Sequence, residues 1–176
     1  VTDDSWTSLA DTPEKVEEGG ALAFASESVY ALRGDKKEDF WAYDVTNDSW
    51  TVLSDTPESV DEGGSLAWDG ADTVYGLRGD KNEEFWAYSI EDDSWTVIAD
   101  ALDEIDKGGA LIYAAGNIYA LRGDGEKDFW RYDFSSVSWT VLANAPEKVQ
   151  WGGALAWDGA DTIYALRGDE KNDFWA

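Results

Sequence analysis

GGALAFASESVYALRGDKKEDFWAYDVTNDSWTVL, residues 19–53, reads as four short strands separated by turn chemistry. The strands fall at residues 20–24, 28–33, 40–45 and 49–53. Aromatic and β-branched residues fill them, and Gly, Asp, Asn and Pro fill the gaps, as half-buried strands and their connections require. No segment carries a sustained helical period. In the second and fourth copies of this stretch, Asp69-Gly70 and Asp158-Gly159 stand between the first two strands. A tight hairpin there needs a residue that tolerates positive φ.

The motifs of this stretch each occur four times. Ser-Trp recurs at Trp6, Trp50, Trp95 and Trp139, at spacings of 44, 45 and 44. Leu-Arg-Gly-Asp recurs at 32–35, 77–80, 121–124 and 166–169, and Phe-Trp at 40–41, 85–86, 129–130 and 174–175. Gly-Gly recurs at 19–20, 63–64, 108–109 and 152–153. Four motifs in one order, four times over, define a structural repeat, and four antiparallel strands per repeat of this length make a propeller blade. The expected fold is therefore all-β, a β-propeller of four blades of about 44 residues. The expected blade units are 10–53, 54–98, 99–142 and 143–176, the last completed by a strand from residues 1–9 of the same chain or of a partner.

The repeat has a family resemblance. Tyr43 and Trp50 are separated by six residues, as are Tyr88 and Trp95, and Tyr132 and Trp139. This spacing resembles the kelch repeat over the whole chain, with the kelch double glycine after strand two altered here to Arg-Gly-Asp. The variant with Leu-Arg-Gly and Phe-Trp is similar to kelch-like repeats of prokaryotic surface and secreted proteins. The resemblance implies protein binding and an extracellular or cell-surface setting. A few kelch-like propellers are copper oxidases, but those use His and Cys ligands that this chain lacks.

Composition narrows the function classes. The 176 residues hold no Cys and no His, which removes disulfides, zinc-thiolate sites and imidazole-based catalysis. Residue 1 is Val and Met is absent, so the sequence reads as processed, excised or built without its leader. Thirty-eight acidic residues against thirteen basic ones give a net charge of −25. Phosphate backbones and anionic membranes would repel such a surface, so neither nucleic-acid binding nor membrane insertion is expected. Eleven Trp, eight Tyr and six Phe in strand-like runs exclude a disordered acidic segment.

Three closures fit the spacing. Two chains can share one eight-bladed ring, each N-terminal strand completing the partner's last blade. One chain can close alone, or the four blades can belong to a longer array. The expected partner is a second copy, joined by strand exchange across a self-complementary interface.

Candidate sites follow the repeat. Arg33, Arg78, Arg122 and Arg167 occupy equivalent positions and are expected to form a structural ring, paired with Glu17, Glu18, Asp61 or Glu62. The glycine of each Arg-Gly-Asp triplet is expected to serve the turn after strand two, not a recognition loop. Asp35, Asp80, Asp124 and Asp169 lie in acidic loops and are weak candidates for Ca²⁺, a hard cation that takes six to eight oxygens. No segment has the fixed-glycine calcium-loop pattern, and lysines interrupt the acids. The repeating tryptophans are expected to pack between blades. Trp151 stands where Glu18, Glu62 and Lys107 stand in the other repeats, which marks it as a candidate for stacking on a sugar or a partner. No carboxylate pair stands out for glycoside cleavage.

The reading is a non-enzymatic structural or protein-interaction propeller, from an extracellular or surface protein or an engineered propeller fragment. A glycan-binding propeller and a weak calcium-binding scaffold are the alternatives.

Overall fold

The computed structural model describes residues 4–176. Four antiparallel sheets follow one another along the chain. Blade 1 comprises β1 (Ala21–Ala25), β2 (Ser28–Leu32), β3 (Phe40–Asp44) and β4 (Ser49–Val52). Blade 2 comprises β5 (Ser65–Trp68), β6 (Thr73–Leu77), β7 (Phe85–Ser89) and β8 (Ser94–Val97). Blade 3 comprises β9 (Ala110–Ala114), β10 (Asn117–Leu121), β11 (Phe129–Asp133) and β12 (Ser138–Val141). Blade 4 has three strands: β13 (Ala154–Trp157), β14 (Ile163–Leu166) and β15 (Phe174–Trp175). Each blade is a meander in sequence order, and the first strands pack in succession, β1 on β5, β5 on β9 and β9 on β13. This is the expected four-bladed propeller arrangement.

Strand alternation builds the joints between blades. Odd and even positions of each strand point to opposite faces, so every blade presents one apolar set to the blade before it and another to the blade after. Between blades 1 and 2, Tyr30, Leu32 and Phe40 meet Leu66, Val74, Trp86 and Tyr88. Between blades 2 and 3, Tyr75, Leu77 and Phe85 meet Leu111, Ile118, Trp130 and Tyr132. The third joint brings Leu121 and Phe129 against Leu155, Ala165 and Trp175. Aromatic rings cross the first two joints edge to face, with Phe40 to Trp95 at 4.8 Å and Phe85 to Trp139 at 4.9 Å.

Backbone hydrogen bonds seal the same joints. The Val60 N–H donates to the Lys37 carbonyl and the Lys36 N–H to the Val60 carbonyl. The Ile105 and Val149 segments repeat this with Asn82 and Glu126 of the preceding blades. These bridges set the loop after the second strand beside the loop that enters the next blade.

The tight hairpins differ from expectation. The two-residue turns are Ser26-Glu27 in blade 1, both at positive φ, and Ala115-Gly116 in blade 3. Asp69-Gly70 and Asp158-Gly159 instead open longer loops. In these, the aspartate Oδ1 accepts the N–H of the residue two further on, Ala71 or Ala160, and of Thr73 or Thr162. The side chain replaces a backbone acceptor, which lets the loop lengthen without leaving its amides unpaired.

The segment expected as a strand at residues 1–9 lies partly outside the described residues. From Asp4 to Leu9 it forms no strand, and Trp6 is fully exposed. The other outer-strand tryptophans are half-buried or buried.

Candidate functional site

Each repeat arginine acts as a clamp inside its own blade. Arg78 donates Nε–H to the Ser59 carbonyl at 3.0 Å and Nη1 to Glu84 at 2.7 Å. Arg33 holds the Lys15 carbonyl and Asp39, Arg122 the Glu104 carbonyl and Asp128, and Arg167 the Lys148 carbonyl and Asp173. The expected pairing with Glu17, Glu18, Asp61 or Glu62 is not what forms. The acid six residues on is nearer because the arginine backbone N–H already bonds to the carbonyl of that residue, in Arg33 to Asp39 for example. The fork thus joins the end of the second strand, the start of the third and the entry loop.

The glycine of each triplet is required by packing. Gly79 has φ 72°, and a Cβ there would run into the carbonyl oxygen of Glu62. With Gly34, Gly79 and Gly123 buried, Gly168 partly so, and each arginine engaged at two positions, the Arg-Gly-Asp triplets are turn structure.

Asp35, Asp80, Asp124 and Asp169 all hold left-handed backbone conformations at these turns. Asp80 shares Lys36 with the buried Asp61, at 3.3 and 3.5 Å. In the next joint Asp106 is buried and its Oδ2 has no hydrogen-bond partner among the described residues. Burial raises the Asp106 carboxyl above its ordinary value, and the charges of Asp124 and Glu62 add to this. Among the described residues no group of three or more acidic side chains converges in metal-holding geometry. Trp151 is about half exposed, and Lys107 sits over its ring at 4.9 Å while pairing with Glu62 at 3.2 Å.

A tyrosine–aspartate clasp, absent from the sequence-based candidates, ties the outer strand to the incoming chain. Asp93 Oδ1 accepts from the Tyr88 hydroxyl at 2.8 Å and from the Ser54 N–H at 2.9 Å. Asp48 does the same with Tyr43 and Ala10. These bonds hold both aspartates below the ordinary carboxylate value, the backbone N–H being the largest cause. Burial, then the Asp93 bond and charge, push the Tyr88 hydroxyl upward.

The two main concavities are apolar and lie at the ends of the arc. One, of about 430 Å³, lies where blade 3 meets blade 4 and includes Phe129, Ala143, Leu155, Ala165 and Trp175 in its wall. The other, of about 780 Å³, opens on the outer face of blade 1 and includes Leu9, Val16, Leu22, Val29 and Trp50. Equivalent residues show what is missing. Leu22 is 67% exposed, whereas Leu66 and Leu111 are each 6% exposed. Phe174 is 63% exposed, whereas Phe40 and Phe85 are fully buried. Blades 1 and 4 therefore do not cover each other. The sequence pointed to the termini as the place where a second copy joins, but the candidate site residues singled out lay mainly in the polar loops and none was on these faces. The signal available was the identity of their residues with those buried in the inner joints.

An all-β chain of antiparallel meanders packed face to face in sequence order is a β-propeller. It is similar to the solved structure of YjhT, a kelch-repeat propeller protein, with a TM-score of 0.75 at 17% identity. The likeness covers 90% of this chain and 60% of that one, so the chain spans less than two-thirds of YjhT. At this identity the likeness shows the fold alone. No family model and no curated protein matches the chain.

Proposed function

We propose that this chain is a non-enzymatic propeller module that works by docking its end faces on protein. The observation that carries this is the exposure of Leu22 and Phe24 on blade 1 and of Leu166 and Phe174 on blade 4. Apolar surface of this kind, contiguous and of the same residue types as the inner joints, marks an interaction site. The polar loops are engaged in clamps and clasps that tie each blade to its own entry segment, which supports a structural role for them. The net charge of −25 keeps the rest of the surface soluble and fits an extracellular or cell-surface setting.

Sedimentation velocity over a concentration series tests the reading. The parent chain should form species larger than the 19.4 kDa chain, and Leu166→Arg should shift the distribution toward single chains. A parent that sediments as a single chain at every concentration overturns it.

A further inference from the structure

We propose that the pocket between blades 3 and 4 is a socket for the N-terminal strand of a second copy of this chain, with Trp6 seated in it. This rests on the end faces being docking surfaces and names what they dock.

The outer-strand tryptophan occupies one repeated environment. Trp95 meets Phe40 across the joint at 4.8 Å and Trp86 of its own blade at 6.1 Å. Its indole N–H donates to the Ser54 carbonyl at 3.1 Å, and its ring lies 3.4 Å from where a Cβ on Gly76 would stand. Trp139 repeats this with Phe85, Trp130 and the Ala99 carbonyl. One repeat further along, the corresponding residues are Phe129, Trp175, Ala143 and Ala165. All four line the pocket of about 430 Å³. Blade 4 has three strands, and Ser5-Trp6 is the Ser-Trp pair that no blade of the chain uses.

Register and capping fit the same occupant. Trp41 pairs with Val52 and Ala42 with Thr51 in blade 1. Carried to blade 4, this pairs Trp175 with Ser8 and Ala176 with Thr7. Asp4 stands at the position of Asp48 and Asp93, so its carboxylate would accept the Ala143 N–H as theirs accept Ala10 and Ser54.

The occupant is a second copy because Ala10 is fixed to blade 1 by Asp48 and by the Trp50 indole. Seating Trp6 in its own chain's socket would require blade 1 to abut blade 4, yet both end faces are open. A second copy brings its own blade 1 with the strand. Its Val16, Leu22 and Phe24 would cover Leu166 and Phe174 as Val60, Leu66 and Trp68 cover Leu32 and Phe40. Two copies related by a two-fold axis make this joint twice and leave no face open, giving eight blades. One element opposes the joint. Glu170 stands where Lys36 stands, facing the positions of Glu17 and Asp35, so association strengthens with salt.

The chain has no cysteine, so one engineered pair gives a clean test. Thr7→Cys combined with Ala176→Cys should yield a reducible dimer of about 39 kDa on a denaturing gel, twice the 19.4 kDa chain. Light scattering should read the same mass for the parent and the single-chain mass for Trp6→Ala. Trp6 is fully exposed in its own chain, so that variant keeps its fold, checked by circular dichroism. Ala165→Phe, which fills the socket from the other side, should also give single chains. A cross-link within one chain, or none, overturns the proposal. A parent dimer that Trp6→Ala leaves intact overturns the strand exchange while the docking reading stands. A parent of single-chain mass overturns both.

Discussion

Replacing Phe85 and Phe174 by alanine, one at a time, makes the same chemical change at the same repeat position in two different surroundings. Phe85 is fully buried and touches three rings: Tyr75 at 5.7 Å, Tyr132 at 5.1 Å and Trp139 at 4.9 Å. Its removal leaves a cavity in the joint between blades 2 and 3, and should cost about 3–5 kcal/mol. Phe174 is 63% exposed and stacks on Tyr164 alone, at 5.5 Å and 7°. Its removal from a single chain should cost at most about 1 kcal/mol. The assay is urea unfolding, with both variants and the parent diluted until scattering reads one chain. Phe85→Ala should lower the midpoint several times more than Phe174→Ala at an unchanged slope. Equal shifts would refute the view that blade 4 ends in an open face. A Phe174→Ala cost that grows with protein concentration would report the second copy covering that ring.

Arg78→Lys loses the planar fork that joins Ser59 and Glu84 and should lower the melting temperature, with a cost of about 1–2 kcal/mol. A melt that matches the parent would remove the clamp. Asp48 and Asp93 have depressed folded values, so their stabilisation is present above the ordinary carboxylate pKa of 3.8 and is lost as the pH falls through the folded values. Asp106 has the opposite sign, because its charged form is penalised in the fold. Asp106→Asn should therefore raise the melting temperature at pH 7 and lose that advantage in acid, and a fall in melting temperature at pH 7 would contradict the assignment. At a net charge of −25, self-repulsion should make the melting temperature rise from low to molar salt, and a flat profile would show that the charge is spread too thinly to matter.

Much of the fold was legible because each strand carries its own turn punctuation. The expected strand at 40–45 is β3 at Phe40–Asp44, and that at 49–53 is β4 at Ser49–Val52. The hairpins were harder to read. Ser26 and Glu27 adopt positive φ without glycine because the β1–β2 register leaves two residues to turn the chain. The arginine partners were misread because the pairing acid, six residues on, is brought beside the arginine by a backbone bond between the second and third strands, which only the strand register reveals. The clasp of Tyr88 and Asp93 on Ser54 links residues up to 39 apart, which no local pattern announces.

By itself the sequence determined the blade: its four strands, their order, the faces that alternate along them and the four-fold recurrence. These are local properties, set by side-chain period and turn residues. Only the tertiary structure decided which of those equivalent faces are used. Leu66 and Leu22 read alike in sequence, but one is buried and the other exposed, because burial depends on whether another blade stands against the face. The same physics makes Trp139 a core residue and leaves Trp6 bare.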